Sequence, residues 1–539
     1  MKKIILTTAV FGMVFCSLFA QSEIDALKYS KTDINGTARY MSMGGAFGAL
    51  GSDISTLANN PAGIGVYRTS EFAVTANISN VATAGVWNKT SVEANNMKFN
   101  FNNFGYIGAF KPDLEGLVSF NIGIGFNRLK DYYRNSTFDN SYLNATIIGT
   151  SSLHQRGISL TDYIAQVTNR YSYKGGDGIP ESVFKDSKAY QSVNDWIGVL
   201  AYDAGLIDPI SGTNTYKPMN TTVTPSAKLK ISERGSADEY NISFGGNVYD
   251  VFYFGATIGI SDLSYRLVST YDEDFLNSGG YTLSNSTDVR GSGINLKAGV
   301  ILRPTDYFRF GLAVHTPTFY KITEYYDANI LSNYADGTTL HPYNQQDAHV
   351  YVPENSYTEY SLQTPFKLQA SSAFVLGKKG ILSFEYEMAD YSHMKMKDPD
   401  GYGWAANDYI NQDMGIGNTF KFGGEFRLTK QFSLRGGYAT QTPFIKSSLM
   451  NNEAIVGEVD VFGSTLPHYT LDKGTDYYSG GFGYRFGSYY TDFAFVHRVQ
   501  NEDVYAFSPI SIGSDWVIPE KATLKTTANQ LLVTFGIKF

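Results

Sequence analysis

The chain has 539 residues and a formal charge of −8; only 17% of residues are charged, while 15% are aromatic, with 40 Tyr, 36 Phe and 53 Gly. That acidity argues against a nucleic-acid partner, and no apolar run after the first segment reaches the roughly 20 residues of a spanning helix. Low charge with abundant aromatics and glycine fits instead a β-barrel with an apolar outer band, aromatic girdles and a partly polar lumen.

The N-terminus runs Met1-Lys2-Lys3, then apolar from Ile4 to Phe19, then Ala20-Gln21. This order of charge, apolar core and small residue reads as a secretory signal peptide over residues 1–20. Cys16, the single cysteine, lies inside it, and Phe15 is too bulky for a lipoprotein cleavage site. The processed chain is then cysteine-free and must be held by a large core or a closed sheet.

Residues 21–70 precede the first clear strand, Glu71 to Ser79, and carry no membrane pattern. They hold a small, apolar run from Ala38 to Gly51, including Gly44, Gly45 and Phe47. Asp53 is placed to cap a short helix, which Pro61 and Gly63 end. A compact, low-charge segment of this kind suits folding back into a barrel lumen rather than hanging as a tail.

From Glu71 onward the dominant signal is alternation, because a strand sends successive side chains to opposite faces. Val118, Phe120, Ile122, Ile124 and Phe126 alternate with Ser119, Asn121, Gly123, Gly125 and Asn127. Phe422, Gly424, Phe426 and Leu428 alternate with Lys421, Gly423, Glu425 and Arg427, which puts the charges on the lumen face. In the second strand the parity changes between Phe101 and Phe104, predicting a bulge at Asn102 or Asn103. Short links such as Tyr249 to Val251 alternate with long polar ones, such as Val81 to Met97 and Tyr271 to Arg290, the asymmetry of periplasmic turns and external loops. The strand count between them is about fourteen, an even number that leaves both ends on the periplasmic side.

The longest link, Asp131 to Glu239, exceeds an ordinary connection and points to function. Within it Tyr163 and Ile164, and again Trp196, Ile197 and Leu200, recur at helical spacing. Two such helices form either a greasy capture groove or a pair packed on each other and the rim. The last strand, Leu531 to Phe539, alternates to a terminal aromatic, the pattern of a barrel-assembly signal.

Catalytic motifs are missing: there is no Gly-x-Ser-x-Gly elbow, P-loop or His-Glu-x-x-His, so neither an enzyme nor a cofactor is expected. His341 and His349 share one external loop and leave a haemin-binding receptor open as an alternative, with no metal-ligand spacing to support it. A structural or adhesive barrel acting through its loops is a further alternative.

The run Met43-Gly44-Gly45-Ala46-Phe47 and Asn60-Pro61-Ala62 just before the first strand resembles the N-terminal hatch of the FadL family of long-chain fatty acid and aromatic hydrocarbon channels. Ala298 to Asp306 leading to Phe310-Gly311-Leu312 resembles its middle hairpin, and Gly424 to Leu428 followed by Leu434 to Tyr438 a later one. The resemblance implies an all-β, transmembrane antiparallel barrel over 71–539 with a hatch at 21–70 inside the lumen. It further implies passive uptake of hydrophobic molecules across the outer membrane by loop capture, lumen binding and lateral release. On this reading Asn60, Pro61, Ala62, Gly44, Gly45 and Phe47 belong to the hatch, and Gly123 and Gly125 permit a kink of the third strand beside a lateral gap. Lumen-facing Arg427, Arg435 and Arg485 are candidates to meet a substrate carboxylate. Expected partners are a fatty acid or similar ligand, outer-membrane lipid and, through Phe539, the barrel-assembly machinery; a monomer is expected.

Overall fold

The computed structural model describes residues 22–539, except 142, 144, 149–158, 187, 190–192, 194, 219–224, 277–278, 333–349, 352–356, 378, 447–448, 450–465 and 513–514. The segment read as a signal peptide and the loop histidines His341 and His349 lie outside the described residues. Fourteen antiparallel strands close into a barrel. They are β1 Glu71–Trp87, β2 Thr90–Phe110, β3 Leu117–Asp131 continued by Arg134–Asn140, β4 Ser226–Val248, β5 Phe252–Asp274 and β6 Gly280–Leu302. Next come β7 Phe308–His315 with Phe319–Ser332, β8 Tyr357–Gln363 with Lys367–Leu376, and β9 Gly380–Asp390 with Lys395–Lys397. The circuit ends with β10 Ile416–Arg427, β11 Phe432–Gln441, β12 Tyr469–Phe486, β13 Tyr489–Tyr505 and β14 Ala522–Lys538. Pro317 and Pro365, which have no N–H for a ladder, fall in the breaks of β7 and β8.

Closure joins β14 to β1 in unbroken register from Glu71 opposite Lys538 to Val86 opposite Thr523. Phe539 and Ser70 exchange backbone hydrogen bonds at 3.0 Å just below it. The predicted bulge is Asn102: Thr75 faces Asn103 and Ala76 faces Phe101, which leaves Asn102 unmatched on β2.

The distribution of polarity is that of a membrane barrel. Outward Phe99, Ile124, Phe422 and Phe495 are about half exposed or more, while inward Glu385, Lys421, Asn121 and Ser243 are buried. A soluble domain does the opposite, whereas a lipid-facing belt over a polar interior is stable in an outer membrane. Among the described residues no helix is long and apolar enough to cross a membrane, which does not bear on strands.

Strands β4, β5 and β6 are 23 residues each, about twice the roughly 10 that a tilted strand needs to cross lipid. Their upper halves therefore stand in water, and there the inner face turns apolar. Leu229, Ile231, Leu263, Tyr265 and Leu267 are buried in one cluster with the helices of the long connection. This corrects the expected loops. The link from Asp131 to Glu239 shrinks to 141–225, because β3 resumes at Arg134 and pairs with a β4 that begins at Ser226. The polar stretch from Val81 to Met97 is mostly strand, turned by Asn88 and Lys89 at φ of 44° and 69°. Tyr271 to Arg290 is likewise mostly strand, since β5 runs to Asp274 and β6 begins at Gly280. Strand outside lipid needs no apolar outer face, so its composition resembles that of a loop.

The N-terminal segment packs on the inward face of this wall. Helix α1 Glu23–Ser30 and α2 Ala38–Ser42 are followed by two 3-10 turns, Ile54–Leu57 and Pro61–Val66. Apart from α1, each has a side-chain cap: Thr37 accepts from Tyr40 N, Asp53 from Ser55 N, and Asn60 from Ala62 N. Asp53 thus caps as expected, but Pro61 opens the second turn, at the first-turn position where its missing N–H costs nothing. The wall is hollowed with glycine to receive the segment. A Cβ on Gly255 would stand 2.2 Å from the Pro61 carbonyl oxygen, one on Gly299 1.9 Å from Asn60 Oδ1, and one on Gly437 2.2 Å from Gly44 N.

Candidate functional site

Between α1 and the wall formed by β1, β2, β3 and the ends of β12 to β14 lies a cavity of about 100 Å³. Its lining mixes charge with aromatic surface, including Lys28, Lys98, Arg128, Lys130, Asp131 and Tyr132. A second cavity above it, lined by Ile24, Ile231, Leu267 and Leu524, shares Ile24, Lys28, Arg134, Glu233 and Thr470 with the first. The two thus adjoin each other around α1, below the apolar cluster under the loops.

Most of the charges in this lining are neutralised in pairs. Arg134 binds Glu233 and Glu502, Lys31 binds Asp472, and Arg498 Nη1 lies 2.6 Å from Asp33 Oδ2. Lys130 differs: its Nζ donates to the Lys28 carbonyl at 2.9 Å and stands 4.8 Å from the centre of the Tyr132 ring. It has no carboxylate partner among the described residues, which leaves an amine in the cavity wall able to take one.

The wall beside this cavity is incomplete. The β2–β3 ladder extends only from Phe110 opposite Phe120 to Asn103 opposite Asn127. Above it β2 pairs with β1 alone, from Thr90 to Phe101, while β3 bulges at Leu129, breaks at Tyr132 and Tyr133, and continues pairing with β4. The inward lean of β3 is visible at Gly85 on β1, where a Cβ would meet the Thr137 carbonyl oxygen at 2.4 Å. This unpaired strand edge borders the cavity, whose lining includes Lys98, Asn100 and Asn102 of β2.

Gly123 and Gly125 are not where β3 leaves the wall. Both sit in continuous pairing with β2 and β4, and their missing side chains make room for the N-terminal segment: a Cβ at Gly123 would lie 3.0 Å from an Ile64 methyl and 3.1 Å from one of Leu57, and a Cβ at Gly125 3.1 Å from the other Leu57 methyl. The departure occurs four to eight residues above Gly125, at Leu129 to Tyr133. The hatch candidates do come together: Gly44 lies on the β10–β11 wall, Phe47 packs on Tyr40 at 5.5 Å between ring centres, and Asn60 reaches the Gly48 carbonyl at 2.6 Å. Pro61 and Ala62 approach Gly255, and Gly45 crowds Ile34 and Tyr40.

The three arginines separate. Arg435 is buried between Glu425 at 2.7 Å and Asp492 at 2.6 Å, with Arg39 of the N-terminal segment on the same Glu425 at 3.1 Å. It binds the segment to the wall and has no capacity left for a ligand. Arg427 and Arg485 are exposed at the short-turn rim, far along their strands from the cavity.

Two helices of the long connection are α3 Leu160–Arg170 and α4 Trp196–Asp203. Ser159 and Asp162 form a capping box on α3. Asp195 caps α4 through Gly198 N and accepts from Thr168 Oγ1 of α3 at 2.8 Å, joining the two. Burial raises the Asp195 carboxyl to about 6. Tyr163, Ile164, Ile197 and Leu200 are buried in the apolar cluster under the loops, and Trp196 packs against it. Their stripes therefore face inward as its roof.

Lys130 and the break at Tyr132 were missed from sequence. A signal existed: Leu129-Lys130-Asp131-Tyr132-Tyr133 puts adjacent aromatics and charges where alternation fails.

No family model and no curated protein matches the chain in sequence. Among solved structures, a Pseudomonas aeruginosa FadL homologue is similar at 13% identity and a TM-score of 0.52, over 94% of this chain and 99% of that one. The P. putida toluene transporter TodX aligns at 12% identity and a TM-score of 0.48, over 94% and 99%. The strand number, the closed barrel and its lipid-facing belt together give this chain the fold of a FadL-type outer-membrane barrel.

Proposed function

We propose that the chain is a passive outer-membrane channel for hydrophobic small molecules, and that long-chain fatty acids are its substrates. The observation that carries this reading is the open β2–β3 edge beside a cavity that lies below the apolar cluster under the loops. A fatty acid enters under α3 and α4, with Tyr163, Ile164, Trp196, Ile197 and Leu200 forming the roof. Its chain is held against apolar surface at about 0.8 kcal/mol per buried CH₂, and Lys130 engages its carboxylate. It then leaves sideways into the bilayer between β2 and β3. Residues 22–70 act as the hatch that blocks the straight path down the barrel. Processing after Ala20, assembly through Phe539 and a monomeric state complete the reading.

The test is uptake of radiolabelled oleate by proteoliposomes containing the protein. Uptake above protein-free vesicles is expected, with Lys130→Ala raising the half-saturating concentration about tenfold, as the loss of one charge-assisted hydrogen bond of about 1.5 kcal/mol implies. Uptake equal to that of empty vesicles would sink the reading.

A further inference from the structure

Where the β2–β3 ladder stops, polar side chains continue across the seam. Asn103 donates to Asn127 Oδ1 at 3.1 Å in the last backbone-paired position. Above it Asn100 Nδ2 lies 2.9 Å from Asp131 Oδ2, and Lys98 Nζ lies 3.0 Å from both Asp131 oxygens. Higher still, Asn135 Nδ2 donates to Asn96 Oδ1 at 3.0 Å. The β2 residues alternate as Asn96, Lys98 and Asn100, so all three point to the inner side, Lys98 and Asn100 into the cavity, while Met97, Phe99 and Phe101 are exposed on the outer face. Asparagine is unusual in strands, and the run Asn95-Asn96-Met97-Lys98-Phe99-Asn100 is accounted for by this crossing.

We propose that this side-chain zipper is a gate on the lateral route, with the Lys98–Asp131–Asn100 cluster as its bolt. The inference rests on the channel reading above and adds how the opening is controlled. A backbone ladder opens only if many bonds break together, whereas a few partly solvated side-chain bridges are individually weak. The seam also has two stable arrangements for its charges. When Lys98 releases, Asp131 keeps the Tyr133 N–H at 2.9 Å and has Arg128 Nη1 3.9 Å away on its own side. Arg128 in turn stays anchored to β4 through Asp238 at 2.9 Å. The Asp131 half of the bolt is therefore not stranded, so the seam opens without leaving that carboxylate buried and unpaired. Below Asn103 and Asn127 the wall stays zipped and acts as the hinge.

The experiment uses the full barrel in proteoliposomes in a Cys16→Ser background. In the Lys98→Cys/Asp131→Cys double variant, a short bifunctional thiol reagent with a reducible spacer is expected to lower oleate uptake at least tenfold, with recovery on reduction; each single variant transports as fast after treatment as it did before. Cross-linked protein that transports as fast as the same protein after reduction would overturn the gate. A second measurement does not need transport. A lipid-tethered maleimide is expected to label Val81→Cys, in the cavity wall, at least tenfold faster when Asp131→Ala is added, and cavity labelling that ignores Asp131 would equally overturn the gate. If the parent barrel fails to take up oleate yet this labelling responds to Asp131, the channel reading fails and the gate stands.

Discussion

Replacing Asn60 with alanine isolates what holds the N-terminal segment in place. Asn60 is buried, its Oδ1 caps the Pro61–Val66 turn through Ala62 N at 3.1 Å, and its Nδ2 donates to the Gly48 carbonyl at 2.6 Å. Losing the cap costs about 1 kcal/mol, and leaving the Gly48 carbonyl buried without its donor costs about 2 kcal/mol more. The sum, about 3 kcal/mol, raises the undocked population of the segment roughly 100-fold. The barrel ladder contains none of these bonds, so the loss is local. Hydrogen exchange followed by mass spectrometry reads both parts at once: peptides within 40–66 are expected to exchange roughly 100-fold faster, with β10 and β14 unchanged. Equal acceleration of wall strands and segment, or none in either, would refute the claim that Asn60 secures a separately docked unit.

Three further outcomes follow from the geometry. Gly255→Ala sets a methyl 2.2 Å from the Pro61 backbone oxygen; protease sensitivity within 40–66 is expected to rise while the folded barrel keeps its heat-modifiable migration. For Asp195, burial raises the folded pKa above the unfolded one to about 6, so its stabilising contribution is full below about pH 4 and is lost as pH rises through about 6. Exchange in α3 and α4, corrected for the intrinsic rate, is then faster at pH 7.5 than at pH 5, and Asp195→Asn should remove that dependence while keeping the cap. Phe539 stacks on Tyr106 at 6.3 Å beside the closing bonds to Ser70; Phe539→Ser is expected to lower the fraction of folded barrel recovered from membranes, measured by heat modifiability.

Within the lipid belt the sequence could be read almost residue by residue, because lipid outside and polar surface inside force strict alternation. The parity change before Phe104 sufficed to locate the Asn102 bulge, and the pattern of Leu531 to Phe539 identified the closing strand. Above the belt the same rule fails for a physical reason. Leu263, Tyr265 and Leu267 face inward to a core while their outward neighbours face water, so the pattern inverts and polar strand reads as loop. The candidate site suffered from a different ambiguity. Gly123 and Gly125 are glycine because Leu57 and Ile64 press on them, not because the strand bends there, and sequence alone does not distinguish these causes. Arg435 looked available because its partners Glu425, Asp492 and Arg39 are brought to it only by strand pairing and by docking of the N-terminal segment. Lys130 gained importance only by lacking such partners, a property that exists solely in three dimensions.

The glycine seat has a consequence for permeability as well as for the fold. Fourteen strands enclose a bore that side chains alone do not fill, and here the wall has surrendered side chains at Gly255, Gly299 and Gly437 to the segment that lies on them. On the channel reading proposed above, a barrel lacking residues 22–66 would leave that bore open to water and small ions. What would close it is then a contact surface built largely from hydrogen atoms, where the wall carries glycine instead of side chains.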